Sequence, residues 1–284
     1  IPDVGSPICQ FPQKEVSIFT ATLDKNGELA PLEDVSLSYK CFPASCPLGN
    51  SELNPDGEPE LTTLVPLCFN GVIEGTKEGY KQVQKTFYSS NDPNIPSFAL
   101  VVLEPRYKKE VNIKVIDKET GAVRDPFSTE QINFLFMHTQ TSYQVSYIYP
   151  TEEQNIIELI PGKYTFDSYV LRESSTYQLI FPKQEIETCI DTRDFGLLGF
   201  FKKKQVCNSI TTEPVEFGTL LTGGATNVVY EFTREELADD KPLTLYVLAS
   251  PIPGNLEELQ KTQIEIETNK DHELFRYPES RWIN

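Results

Sequence analysis

Short runs of alternating apolar and polar residues recur along most of this chain, and that period-two pattern restricts it more than any other feature, because it suits strands with one buried face. Val35 to Cys41 alternates in this way, and Tyr143, Val145, Tyr147 and Tyr149 alternate with Ser142, Gln144 and Ser146. Further strands are expected over residues 16–23, 71–76, 98–103, 111–117, 131–137, 156–160, 164–171, 177–181, 227–232 and 243–249. Turn residues separate them: Asp24-Lys25-Asn26-Gly27, Asp56-Gly57, Lys118-Glu119-Thr120-Gly121 and Pro161-Gly162 supply the positive φ angles and fixed kinks of tight connections. Helical signals are confined to a capping box at Thr233-Arg234-Glu235-Glu236 and to Asn255–Gln260, both read as short surface helices.

At 284 residues, 39% of them hydrophobic and 24% charged, the chain has enough material for two cores. No apolar run approaches the roughly 20 residues that a bilayer-spanning helix needs. The fold class expected is all-β: two tandem antiparallel β-sandwich domains, with short surface helices and an extended C-terminal tail. The first domain is placed at 1–105 and the second at 106–250, with the join at Pro105-Arg106. The polar, mixed-charge stretch 251–284 is read as a tail or arm whose one strand-like alternation is Ile264-Glu265-Ile266-Glu267.

Six cysteines, Cys9, Cys41, Cys46, Cys68, Cys189 and Cys207, form an early group of four and a later pair. The even count and the absence of any Cys-x-x-Cys spacing favour disulfides over zinc, and so an oxidising, extracellular or surface compartment. Connectivity is left open by spacing alone. The chain opens on Ile-Pro-Asp-Val, which reads as a processed form or a fragment of something longer, so a missing anchor remains compatible with it.

The formal net charge is −17, which argues against nucleic acid as a partner, since phosphate-backbone binding needs a basic face. Against that acidic background one segment stands out. Between Cys189 and Cys207 lie Phe195, Leu197, Leu198, Phe200 and Phe201, followed by Lys202, Lys203 and Lys204. They are expected to form a loop with an apolar tip and a basic shoulder, suited to a partner pocket or to a lipid surface, the alternative being a hairpin folded back on its own sandwich.

Several landmarks resemble carboxypeptidase-regulatory-like domains, which are transthyretin-like (prealbumin-like) β-sandwiches. They are the first strand with its Asn-Gly turn, Asp34 to Cys41, Val65 to Gly71, and Lys77-Glu78-Gly79-Tyr80. In the second half, Lys118-Glu119-Thr120-Gly121 and Leu159-Ile160-Pro161-Gly162-Lys163-Tyr164 are similar to landmarks of Cna-B-type surface repeats in the same broad superfamily. The added cysteines are similar to those of variants in archaeal surface proteins. The resemblance covers about half the chain, and the insert from Cys41 to Leu67 departs from it. It implies Ig-like sandwiches serving as spacer, stalk or adhesion modules, with no catalytic residues carried over. Some Cna-B domains form Lys–Asn isopeptide bonds, and Lys114 and Asn227 lie on the first and a late strand of the second half.

Common catalytic motifs are missing. There is no Gly-x-Ser-x-Gly, His-Glu-x-x-His or phosphate-loop sequence, and the two histidines, His138 and His272, read as a strand-end residue and an exposed tail residue. No metal ligand set is assigned. The loops at Asp24–Glu28 and Asn54–Glu58 carry oxygens that would suit calcium, although ordinary turns explain them better. The expected function is therefore a non-enzymatic structural protein of a cell-surface layer, appendage or virion. Its partners would be other subunits, including copies of itself, and membrane contact would run only through 195–204 or a missing anchor. One alternative is a carbohydrate- or ligand-binding adhesion module using Tyr143, Tyr147 and Tyr149; the other is a hydrolase built on a carboxylate pair.

Overall fold

A computed structural model describes residues 7–151, 155–173, 179–181, 185–195, 201–211 and 215–271. The architecture is all-β. In chain order the first strands are β1 (Lys14–Leu23), β2 (Leu29–Pro31), β3 (Ser36–Cys41), β4 (Ala44–Asn50), β5 (Glu52–Leu53) and β6 (Pro59–Val65). There follow β7 (Val72–Thr76), β8 (Tyr80–Lys81), β9 (Val83–Thr86), β10 (Phe98–Pro105), β11 (Tyr107–Asp117), β12 (Val123–Arg124), β13 (Glu130–His138) and β14 (Gln144–Tyr149). The remainder are β15 (Ile156–Leu159), β16 (Gly162–Glu173), β17 (Leu179–Phe181), β18 (Glu185–Phe195), β19 (Phe201–Thr211), β20 (Val215–Phe217), β21 (Thr219–Phe232) and β22 (Leu243–Ala249). Two helices, α1 (Arg234–Ala238) and α2 (Leu256–Thr268), flank β22 in sequence.

The chain forms two compact units whose segments interleave in sequence. One comprises 1–110 with 156–163 and 231–241, the other 111–155, 164–230 and 242–284. In the first unit a sheet ordered β5-β6-β1-β10-β8, with β2 added to β1, faces a sheet ordered β4-β3-β7-β9. The alternation read in the sequence does what the pleat requires. Val16, Ile18, Val101 and Leu103 from one sheet and Leu37, Tyr39 and Ile73 from the other share one core, each fully buried residue contributing about 1.5–3 kcal/mol. The Tyr39 hydroxyl, buried with its ring, is satisfied by Ser89 Oγ at 2.8 Å and the Phe87 carbonyl at 3.2 Å.

Two hairpin turns in this unit are built alike. Asp24 Oδ1 accepts from the N–H groups of Asn26 and Glu28 at 2.8 and 2.9 Å, and Asn54 Oδ1 accepts from those of Asp56 and Glu58 at 3.0 and 2.9 Å. Gly27 and Gly57 take φ of 83° and 81° at the same place in each. Of the oxygens that are candidates for calcium in the sequence, Asp24 Oδ1 and Asn54 Oδ1 are thus the ones that hold the turns.

Two disulfides lock the same unit. Cys9–Cys46 ties the short 3-10 turn Pro7–Gln10 to β4, and Cys41–Cys68 ties the end of β3 to the segment after β6. Replacing Cys41 and Cys68 together by alanine frees a loop of 27 residues. The expected loss is about 3 to 4 kcal/mol, read as a lower urea midpoint of the protein with its other disulfides intact.

In the second unit the sheet runs β12-β11-β22-β21-β16-β13-β14. One face of its strands is buried: Ile132, Phe134 and Phe136 on β13 and Tyr164, Phe166 and Val170 on β16. Phe136 and Phe166 lie 5.3 Å apart by ring centroid. Among the described residues most pairings are antiparallel, but each unit adds one parallel pair, β1 with β10 and β11 with β22. Parallel strands require long crossovers rather than hairpins, and here the crossover is most of the intervening chain, which local alternation does not reveal.

The helices differ in how well the sequence foretells them. Thr233 caps α1 as expected, its hydroxyl accepting from the Glu236 N–H at 3.1 Å. Asn255 caps α2, which runs to Thr268 rather than stopping at Gln260, so Ile264–Glu267 is helical and not a strand. The expected extended arm is, through residue 271, a docked helix. Thr262, Ile266 and Asn269 are buried, and Asn269 Nδ2 donates to the Gly224 carbonyl at 2.7 Å. Ile266 at a buried helical position accounts for the apolar residues that mimic alternation; residues 272–284 lie outside the described residues.

Candidate functional site

The segment between Cys189 and Cys207, read in the sequence as a loop, is for most of its length a two-stranded ribbon. β18 and β19 pair antiparallel in one unbroken register from Glu185↔Thr211 to Phe195↔Phe201. Ile186, Thr188, Ile190 and Thr192 alternate along β18, and Val206 and Ile210 answer them on β19. This strand signal was present but overshadowed by the conspicuous Phe-Gly-Leu-Leu-Gly-Phe-Phe run. The register places Phe195 opposite Phe201, Asp194 opposite Lys202, Arg193 opposite Lys203 and Thr192 opposite Lys204. Leu197, Leu198 and Phe200 of the expected tip, like His272, lie outside the described residues.

Cys189 and Cys207 form a directly cross-strand pair and are disulfide-bonded. In a sheet packed on one side, every second residue would be buried. Here positions 187–190 and 205–209 are all exposed, so the ribbon is covered on neither face along that stretch. Ile190 and Val206, partners across the ribbon, are 62% and 42% exposed. A two-stranded ribbon without a packed face is marginal on its own, and the cross-strand disulfide holds its register. Glu187 lies beside both sulfurs, one ligand atom from each of the three residues falling within 4.8 Å of the others. With the sulfurs bonded to one another they are not free thiolates, so the trio as it stands is no metal centre.

The other sequence candidates are dispersed. Tyr147, the middle ring of the expected aromatic face, is buried and donates to Asn155 Oδ1 at 3.2 Å, whereas Tyr143 and Tyr149 are half-buried. Lys114 is ion-paired with Asp125 at 2.7 Å, and the Asn227 N–H donates to Asp167 Oδ1 at 2.8 Å. His138 sits buried at the end of β13, with Nδ1 accepting from the Gln140 N–H at 3.2 Å, as a strand-end histidine should.

Buried charge marks three places that the sequence reading passed over. Glu130 accepts from Arg124 at 2.7 Å on each oxygen and from Arg172 at 2.8 Å, with the Arg124 guanidinium 3.7 Å above the Phe127 ring. Burial works to raise its pKa, but hydrogen bonds from Arg124 and the Phe127 N–H and the two positive charges outweigh it and hold the carboxyl below its usual range. Lys109, 4% exposed, donates through Nζ to the carbonyls of Glu236 and Asp239 at the C-terminal end of α1, where a cation is favourable. Its parity with Val111, Ile113 and Val115 was the available signal.

Glu74 is the other buried carboxylate among the described residues. Burial raises its pKa, yet hydrogen bonds from Lys40, Gln84 and Gln82 and the Lys40 charge prevail, so it too is lowered. An open groove in the first unit is lined by Asp34, Ser36, Lys77, Glu78, Tyr80 and Arg106, among others. Arg106 there is bound to Glu158 at 2.8 Å, and Lys77 donates to the Glu33 carbonyl at 2.7 Å.

No family model matches the chain, and no curated protein matches it. Among solved structures it is similar to a Streptococcal ancillary pilin, at 12% identity and a TM-score of 0.26, covering 84% of this chain and 64% of that one. It is also similar to the Bacillus anthracis TIE protein, at 11% identity and a TM-score of 0.22, covering 84% and 51%. A third is the shaft pilin SpaA from Lactobacillus rhamnosus GG, at 9% identity and a TM-score of 0.23, covering 84% and 98%. The chain therefore spans about half to two thirds of the first two proteins.

Proposed function

We propose that the chain is a non-enzymatic structural subunit of an extracellular or cell-surface assembly, and that the β18–β19 ribbon is its contact element. The observation that carries this reading is the ribbon's exposure on both faces along 187–190 and 205–209, with the apolar pair Ile190 and Val206 in solvent. Contiguous exposed apolar surface is the ordinary mark of a contact site. Between residues 191 and 204 four basic residues accompany two acidic ones, in a chain of net charge −17, which fits an acidic partner such as a second copy. Three disulfides, each resisting unfolding of a chain segment, suit an oxidising compartment. The motif resemblance to surface spacer and stalk modules agrees with this.

The buried carboxylates support a non-catalytic role as well. A glycosidase-type acid needs a carboxyl kept protonated by its surroundings, whereas Glu74 and Glu130 are both held on the ionised side by cations and amides.

Replacing residues 185–211 by a short Gly-Ser turn tests the proposal. The variant should keep the thermal transition of the rest of the chain, while native mass spectrometry of unreduced protein shows loss of higher assemblies and co-purifying subunits. Assemblies of unchanged size would sink the assignment of the ribbon as the contact element.

A further inference from the structure

The three disulfides differ in what surrounds them. Cys41 and Cys46 are buried in the first unit, each bonded to a half-buried cysteine, Cys68 and Cys9. Both Cys189 and Cys207 are exposed, on strands that bury neither face beside them. Thiol–disulfide exchange needs an in-line approach of a thiolate to sulfur, so access governs its rate. The Glu187 carboxylate sits within 4.8 Å of the sulfurs and meets any incoming thiolate with like charge.

We propose that Cys189–Cys207 is a thiol-exchange site that takes low-molecular-weight thiols bearing a positive or no charge in preference to anionic ones, with Glu187 setting the preference. The thiolate forms a new S–S bond to one cysteine sulfur as the Cys189–Cys207 bond breaks. The electron pair leaves on the other cysteine, which takes a proton from water. A second thiolate then attacks the mixed disulfide, releasing the oxidised thiol as its symmetrical disulfide and leaving two protein thiols. Two thiols are oxidised and one protein disulfide is reduced. Opening the bond removes the clamp on the ribbon register while both first-unit disulfides remain closed.

The test uses the full unreduced chain at low salt and pH 8, with cysteamine or 2-mercaptoethanesulfonate as the thiol, timed alkylation and peptide mass mapping of all six cysteines. Cys189 and Cys207 should become labelled at least about tenfold faster than the other four, as access dictates. The cysteamine-to-sulfonate rate ratio at this disulfide should fall about threefold in Glu187→Gln, and that fall should vanish at 1 M salt, as expected of tail charges of opposite sign roughly 12 Å from the carboxylate in water. Comparing the two proteins cancels the intrinsic reactivity of each thiol. Labelling of all six cysteines together would overturn the site, and an unchanged ratio in Glu187→Gln would overturn the charge preference.

Discussion

Alanine at Gly224 is expected to prevent the second unit from folding. Gly224 lies within β21 at a φ of 131°, outside the range that side-chain-bearing residues adopt comfortably. A Cβ placed there would stand 2.0 Å from the Ser168 carbonyl oxygen and 3.0 Å from the Tyr169 Cα, both backbone atoms of β16. The Thr222 hydroxyl donates to the Val170 carbonyl and the Ala225 N–H donates to Ser168 Oγ, so β21 is tied to β16 on both sides of this glycine. The carbonyl of Gly224 also receives Asn269, so displacing this strand undocks the end of α2. Strain and overlap together should exceed about 4 kcal/mol. Hydrogen exchange over β16 and β22 should show loss of protection. Gly218→Ala, where the added Cβ meets nothing within 4 Å, should stay within about 0.5 kcal/mol of the parent.

Removing the carboxylate of Glu130 should be nearly as costly. Its two arginine partners are themselves mostly covered, with side chains 24% and 21% exposed, and Arg172 Nε is buried without an acceptor among the described residues. Glu130→Ala leaves two guanidinium groups facing each other across a void, which breaks a buried pair from one side and should cost about 3 to 5 kcal/mol. Because the folded-state pKa of Glu130 is depressed, its contribution is fully present above the ordinary carboxylate pKa and is lost as pH falls through the lower folded value. Denaturant midpoints of the parent should therefore decline on acidification below about pH 4.5. Glu130→Gln should start lower at neutral pH and decline less over the same range. Parallel declines in the two proteins would mean that other carboxylates dominate acid unfolding.

How much of this could be read beforehand depended on whether the signal was local. Strands such as β3, β10, β13 and β22 carry their own alternation, and the turns at Gly27 and Gly57 their own Asx-Gly chemistry, so a short window sufficed. β4 and β6 escaped notice because Ala44–Asn50 and Pro59–Val65 bury only a few of their residues and mix proline with polar side chains. The pairing of β1 with β10 and of β11 with β22 depends on residues far apart in the chain, as do the partners of each cysteine. At the ribbon the period-two signal was present, but a conspicuous apolar run drew the reading toward a loop. Glu130 and Lys109 look like solvated charges in any window, and only the arginines and helix carbonyls brought to them by folding give them their roles.

The interleaving of the two units has a consequence for how the protein is made. The first unit draws its final pieces from residues 156–163 and 231–241, the last of them about 130 residues beyond Glu110. At ribosomal speeds of about 5–20 residues per second, that unit waits roughly 7 to 26 s after most of its strands have emerged before its last segment is available. For that interval Lys109 has no helix end to neutralise, and for about the first third of it β11 has no β15 beside its first residues, while four cysteines are already free to pair. A nascent chain of this kind can be pinned early by Cys9–Cys46 and Cys41–Cys68 but cannot be finished, so truncation anywhere before residue 241 leaves both units incomplete.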